Sequence, residues 1–161
     1  DKAMSTQLYD VLDVVGRRFQ EVFSQLFGGG TAQIVLTDPD NILTGGIDFY
    51  IQPPGKKRQQ LTLLSGGERA LTVIALLFSF LDYRPAPFCV LDEVDAALDE
   101  ANVERFSSYL NRVNKETQFI VVSHRKKTME AAEVLQGVTM VERGVSRLLT
   151  VAFEDVKEDL A

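Results

Sequence analysis

The sequence has no tryptophan, one histidine and a single cysteine, Cys89, which sits in an apolar run. One thiol cannot close an internal disulfide, so nothing in this fold depends on cystine, and a reducing compartment is expected. No apolar run approaches the roughly 20 residues that cross a bilayer. The first residues also lack the basic-then-apolar pattern of a secretion signal. A soluble, cytoplasmic chain with no membrane partner is the expectation. Positive charge is in deficit, with 17 Lys and Arg against 23 Asp and Glu and a net charge of -6. That excludes a surface that attracts nucleic acid everywhere and leaves two local basic clusters, Lys56-Lys57-Arg58 and Arg125-Lys126-Lys127. Repeats and low-complexity segments are absent. What is present is ample apolar material, 45% of 161 residues, enough for the core of one domain.

From Met4, apolar residues recur at Leu8, Leu12, Val15, Phe19, Val22, Phe23 and Leu26 in steps of three and four, the stripe of a long amphipathic helix. Gly28-Gly29-Gly30 ends it. Such a helix either packs on its own domain or ends a coiled coil. Ala32 to Leu36 and Ile47 to Ile51 read as strands of an antiparallel hairpin, and the Lys56 to Gln60 run as a solvated loop. Gly66 to Asp82 is apolar nearly all round, which predicts a central, buried helix. Pro85 and Pro87 bound a continuous apolar strand, Phe88 to Leu91, of the kind covered on both faces in a parallel sheet. A helix through Val103, Phe106, Tyr109, Leu110 and Val113, a strand from Phe119 to Val122, a short helix near Thr128 to Ala132, and a hairpin across Arg143-Gly144 complete the chain before an acidic tail. Strand, helix and strand in alternation indicate an α/β class with a largely parallel sheet core.

Chemistry concentrates between Leu64 and Asp99. Ser65-Gly66-Gly67-Glu68 fits a capping box, with Ser65 as N-cap and Glu68 three residues later. The box leaves the glycines unexplained, because each costs about 1 kcal/mol against alanine in a helix. A bare backbone at a helix N-terminus, with free amides and a positive dipole end, suits an approaching phosphate. Asp92 and Glu93 end an apolar strand, where ligands of open α/β sheets bind. In nucleotide hydrolysis one such carboxylate holds Mg²⁺ and the other orients and deprotonates water. Asp99 is also a good N-cap, and His124 follows the next strand in the same loop layer.

Leu64 to Glu68 resembles the signature loop of the ABC family, Phe88 to Glu93 its Walker B strand with the catalytic glutamate, Ala97-Leu98-Asp99 its D-loop, and His124 its switch histidine. Glutamate after the signature glycines, with PPGKK, PFCVLDEVDAALDEAN, FIVVSHRKKTME and GVTM, is similar to the bacterial SMC (structural maintenance of chromosomes) branch, over about residues 22–153. The resemblance implies the C-terminal half of an SMC ATPase head: residues 1–27 the end of a coiled-coil arm, 28–153 the lobe, 154–161 an acidic tail. It implies ATP and Mg²⁺ as cofactors, Asp92 for the metal, and Glu93 and His124 in catalysis. Ser65, Gly66, Gly67, Glu68 and Asp99 would touch ATP held by a second head.

No Lys lies in a G-x-x-x-x-G-K-[ST] sequence, so the phosphate-wrapping loop is missing from this stretch. The family places it in an N-terminal Walker A half. The implied partners are that half, a second head in an ATP-dependent homodimer, the C-terminal winged-helix domain of a kleisin subunit, and DNA through the full complex at the nucleoid. Lys56, Lys57 and Arg58 are candidates for DNA or nucleotide contact. The rival readings are another ABC-type ATPase of the Rad50-like repair group, and a non-catalytic module that binds a kleisin.

Overall fold

The structure, a computed structural model, describes residues 2–113 and 117–152. Asp1, residue 153 and the expected tail 154–161 lie outside the described residues.

Helix α1 (Lys2–Phe27) carries the stripe read from the sequence. Only its second half is spent on the core: Val15, Phe19, Val22, Phe23 and Leu26 are buried, while Met4 and Tyr9 stay exposed. Phe23 stacks on Phe27 and meets Phe19 edge-on, and Phe19 also meets Phe49 edge-on. Packing on its own domain therefore holds for the second half of the helix. The exit is fixed by glycine, since a Cβ on Gly30 (φ 88°) would fall 2.4 Å from the Gln52 carbonyl oxygen. The Gln20 side-chain amide donates to the Gly30 carbonyl at 3.2 Å and accepts from the Ala32 amide at 2.8 Å, tying helix to strand. The Arg105 guanidinium donates to the Phe27 carbonyl at 3.0 Å and satisfies the end of α1 from elsewhere in the chain.

Strand β1 (Thr31–Leu36) pairs antiparallel with β2 (Ile47–Gln52), Thr31 opposite Gln52 and Leu36 opposite Ile47. A short β3 (Gln59–Gln60) adds to β2, in a segment expected to be loop. Its two glutamines carry no strand pattern, and the pairing comes from the chain being led back along an open edge.

Helix α2 (Gly66–Tyr83) packs on α1 and buries Leu71, Ile74, Ala75 and Phe78. Phe78 is the centre of an aromatic cluster, stacked on Tyr109 at 4.9 Å and Phe106 at 6.3 Å and edge-on to Phe119 at 5.8 Å. The helix is not enclosed as its composition predicts: Val73, Phe80 and Tyr83 are exposed.

Strands β4 (Phe88–Asp92) and β5 (Gln118–Val122) pair in parallel through α3 (Glu100–Val113), the expected crossover. Strand residues alternate faces. Cys89, Leu91, Phe119 and Val121 turn toward the core, where burial pushes the Cys89 thiol up and keeps it protonated. The other face is bare: Phe88 is 57% exposed, Val90 55%, Ile120 48% and Val122 50%. Coverage on both faces was expected. The described residues supply a cover for one.

Helix α4 (Lys126–Glu130) starts about two residues earlier than read. Strands β6 (Val134–Glu142) and β7 (Val145–Ala152) form the closing hairpin, longer than expected, with Gly144 at φ 85° in its turn. Val138, Val141 and Leu148 on this hairpin are exposed. The class is α/β as read, but the sheets are mixed, one parallel pair and two antiparallel groups.

Because Phe78 joins α2, α3 and β5, Phe78→Ala is expected to lower the unfolding free energy by about 3–5 kcal/mol, measured by urea denaturation. A loss below about 1 kcal/mol would show that the cluster is not central.

Candidate functional site

The loop before α2 forms the complete capping box. The Ser65 Oγ accepts from the Glu68 amide at 3.4 Å, the Ser65 amide donates to Glu68 Oε2 at 3.2 Å, and the Ser65 hydroxyl donates to the same oxygen at 2.8 Å. Glu68 then receives Lys56, whose Nζ lies 2.8 Å from Oε1. That ion pair first, with the Ser65 hydrogen bonds, holds the Glu68 carboxyl below its usual range against a smaller opposing effect of burial. The three residues of the basic cluster are engaged differently, although all are exposed. Lys56 is engaged with Glu68, the Arg58 guanidinium lies over the Tyr50 ring at 4.7 Å, and Lys57 is exposed.

The two glycines have different reasons. A Cβ on Gly67 would fall 3.0 Å from the Ala97 carbonyl oxygen, so Gly67 lets the start of α2 close onto the loop that follows β4. A Cβ on Gly66 would meet nothing within 4 Å. The open backbone that the sequence assigned to both belongs to Gly66.

At the sheet end, register puts Asp92 opposite Val122, on the bare face. Glu93 is the next residue and has φ 48°, the single non-glycine in the left-handed region among the described residues. Its amide donates to the Val122 carbonyl at 2.9 Å, the last link between the strands. Backbone held in this region costs on the order of 1–3 kcal/mol and is typical of functional positions. Asp92, Glu93 and His124 are all exposed at this one end of the β4–β5 pair. Asp99 caps α3, accepting from the Asn102 amide at 2.8 Å and the Asn102 side chain at 3.1 Å.

Between the carboxylate pair and Asp99 lies a residue that the sequence reading passed over. Asp95 is fully buried. Its Oδ2 accepts from the Ser123 hydroxyl at 2.6 Å and from the Thr128 hydroxyl, while Oδ1 has no hydrogen-bond partner. Arg125 adds a second link, its guanidinium donating to the Leu98 carbonyl, and its amide donates to the Ser123 Oγ at 2.9 Å. An unpartnered buried acceptor costs about 1–3 kcal/mol. The available signal was an acid inside the small, apolar run Val94 to Leu98, which has no reason to be there unless partnered.

Asp92, Glu93, Asp99 and His124 lie on an open surface. The clefts on α1 and α3, lined by Arg18, Asp82 and Arg112 in one case and by Gln25, Arg105 and Ser108 in the other, include none of them. Among the described residues no group of three His, Cys, Asp or Glu gathers into a metal cage.

The Lys56–Glu68 pair carries a pH dependence. A depressed carboxyl contributes stability above its ordinary value, 4.5 for glutamate, and loses it as pH falls through the folded value. Lys56→Met should raise the Glu68 midpoint and start acid unfolding at higher pH, read by carboxyl-carbon NMR and by melting against pH. An unmoved Glu68 midpoint would refute the pairing.

The sequence matches the family model for the RecF/RecN/SMC N terminal domain over residues 18–147. It is 58% identical to the chromosome partition protein Smc of Bacillus subtilis (strain 168) over 158 residues, 98% of this chain and 13% of that protein's length. Its fold is similar to a solved chain from work on ATP-driven dimerisation and DNA-stimulated activation of SMC ATPases, with TM-score 0.86 and 35% identity over 97% of this chain and 94% of that one. A Pyrococcus furiosus Smc head with an extended coiled coil, bound to the C-terminal domain of ScpA, aligns at TM-score 0.89 and 35% identity over 99% of this chain and 40% of its own. The family match takes in the capped glycine loop and both strand ends, and the chain belongs to the RecF/RecN/SMC N terminal domain family.

Proposed function

We propose that this chain is the C-terminal half of an SMC ATPase head, one part of a divided nucleotide site that a P-loop-bearing half completes. The observation that carries this reading is the bare apolar face of β4–β5, with Asp92 at its functional end. A parallel pair needs cover on both faces, and the sequence lacks the lysine loop that would hold phosphate from the same side. The chain spans 13% of the length of the curated relative, so the missing elements have ample room elsewhere in a protein of that kind.

ATP supplies the phosphoanhydride and Mg²⁺ the charge that steadies it; the donors here fit such a pair. Asp92 would hold Mg²⁺ as one carboxylate, leaving water and phosphate oxygens to complete the shell, the usual habit of this cation. Glu93 would take the proton of the attacking water, and His124 would act at the terminal phosphate. Ser65, Gly66, Gly67, Glu68 and Asp99 would contact the nucleotide of a second head. Ser65 would turn its hydroxyl from Glu68 toward phosphate, and Lys56 would offset the Glu68 charge meanwhile. Residues 1–27 form the root of the coiled-coil arm and 28–153 the lobe. The role is in chromosome condensation and segregation, cytoplasmic and nucleoid-associated, with DNA contacted through the full complex.

We assign the contact with a kleisin subunit to the closing hairpin. The β6–β7 hairpin exposes Val138, Val141 and Leu148, and the Pyrococcus furiosus head binds the C-terminal domain of ScpA.

Mixing the chain with the P-loop half should produce ATP turnover that neither half has alone. Glu93→Gln in that head is expected to keep ATP-dependent dimers and to lower kcat by about 100-fold or more; unchanged turnover removes Glu93 as the base. Ser65→Arg should preserve ATP binding by each head and abolish the dimers. Equal loss of binding would place the signature loop on its own head's nucleotide instead.

A further inference from the structure

We infer that Asp95 is a positioning residue that locks the Glu93 loop to the His124 segment, an assignment that rests on the hydrolytic reading above. The sheet cannot do this alone. Its ladder ends at the bond from the Glu93 amide to the Val122 carbonyl, and Glu93 and His124 both lie beyond the paired residues.

Past that point the two segments are joined by side chains. The Asp95 carboxyl reaches across to Ser123, immediately before His124, and to Thr128 in α4. The reverse link runs from Arg125, immediately after His124, to the Leu98 carbonyl. His124 is thus held between two anchored neighbours, while its own side chain stays exposed. The Asp95 loop is internally braced as well, with the Ala96 amide donating to the Glu93 carbonyl at 3.1 Å and the Leu98 amide to the Asp95 carbonyl at 3.0 Å. Asp95 touches no site for nucleotide or metal; it acts through Glu93 and His124.

A role in packing alone would be served as well by an apolar residue. Instead the position holds a fully buried acid with one oxygen left without a partner. Two hydroxyl donors from separate elements meet on its other oxygen, an arrangement that specifies the relative placement of those elements.

The experiment uses the complete head, both halves assembled. Thr128→Val with Ser123→Ala removes the donors with little change of volume, and Asp95→Asn keeps an acceptor oxygen in place as the conservative control. Hydrogen exchange of the 123–130 segment reports the lock without reference to ATP, and steady-state turnover reports its consequence. The double variant is expected to exchange faster in that segment, to melt at a lower temperature because the buried Asp95 carboxyl is left without partners, and to lose about tenfold to a hundredfold in kcat with KM little changed. Asp95→Asn should stay within about threefold of the parent, on the same scale of effects. Faster exchange with unchanged kcat overturns the positioning role, and unchanged exchange overturns the lock itself. Equal losses in kcat and KM would mean a structural role only, which also overturns it. A complete head with no turnover before any substitution refutes the hydrolytic reading, and this assignment with it, while the exchange data still show whether the lock exists.

Discussion

A two-stranded parallel sheet covered on one face is the constraint from which most of this structure follows. Parallel strands are laid down by a crossover, and the crossover helix α3, with α2 and α1 behind it, lies on the side of Cys89, Leu91, Phe119 and Val121. Phe78 fixes that side by touching α3 and β5 together. Nothing among the described residues performs the same service for Phe88, Val90, Ile120 and Val122. At about 25 cal/mol per Å² of apolar surface, leaving four large side chains half in water forgoes several kcal/mol that a partner would recover. Asp92 stands on this same uncovered face.

The loop after β4 is where the remaining parts converge. It begins with the strained Glu93 backbone and holds the buried Asp95, offers the Ala97 carbonyl to the back of Gly67, and ends with Asp99 capping α3. Seven residues therefore border the sheet end, the second strand end and the start of α2. Among the described residues no group of three His, Cys, Asp or Glu gathers at this place.

Local signals were legible in the sequence. The stripe of α1, its glycine stop, the capping box and the β1–β2 hairpin depend on neighbours a few residues apart, and each stands where periodicity and turn chemistry put it. Burial was less legible. An apolar strand reads as enclosed whether its second cover comes from the same stretch or from elsewhere, and α2 misled in the same way through Val73 and Phe80. The contacts that organise the site were invisible for a different reason. Asp95 meets Thr128 across 33 residues, and Lys56 meets Glu68 from beyond a strand and a turn. Neither pairing leaves a periodic trace. Asp95, Ser123 and Thr128 were not singled out in the sequence.

The contact between Gly67 and the Ala97 carbonyl has a consequence for how such a sequence can drift. Any side chain at 67 must displace backbone rather than a flexible tip, since the obstructing atom is a main-chain oxygen. Compensation cannot come from shrinking residue 97, which is already alanine and meets Gly67 through an atom every residue has. A substitution at 67 is therefore expected to push the start of α2 and the loop after β4 apart by a few tenths of an ångström.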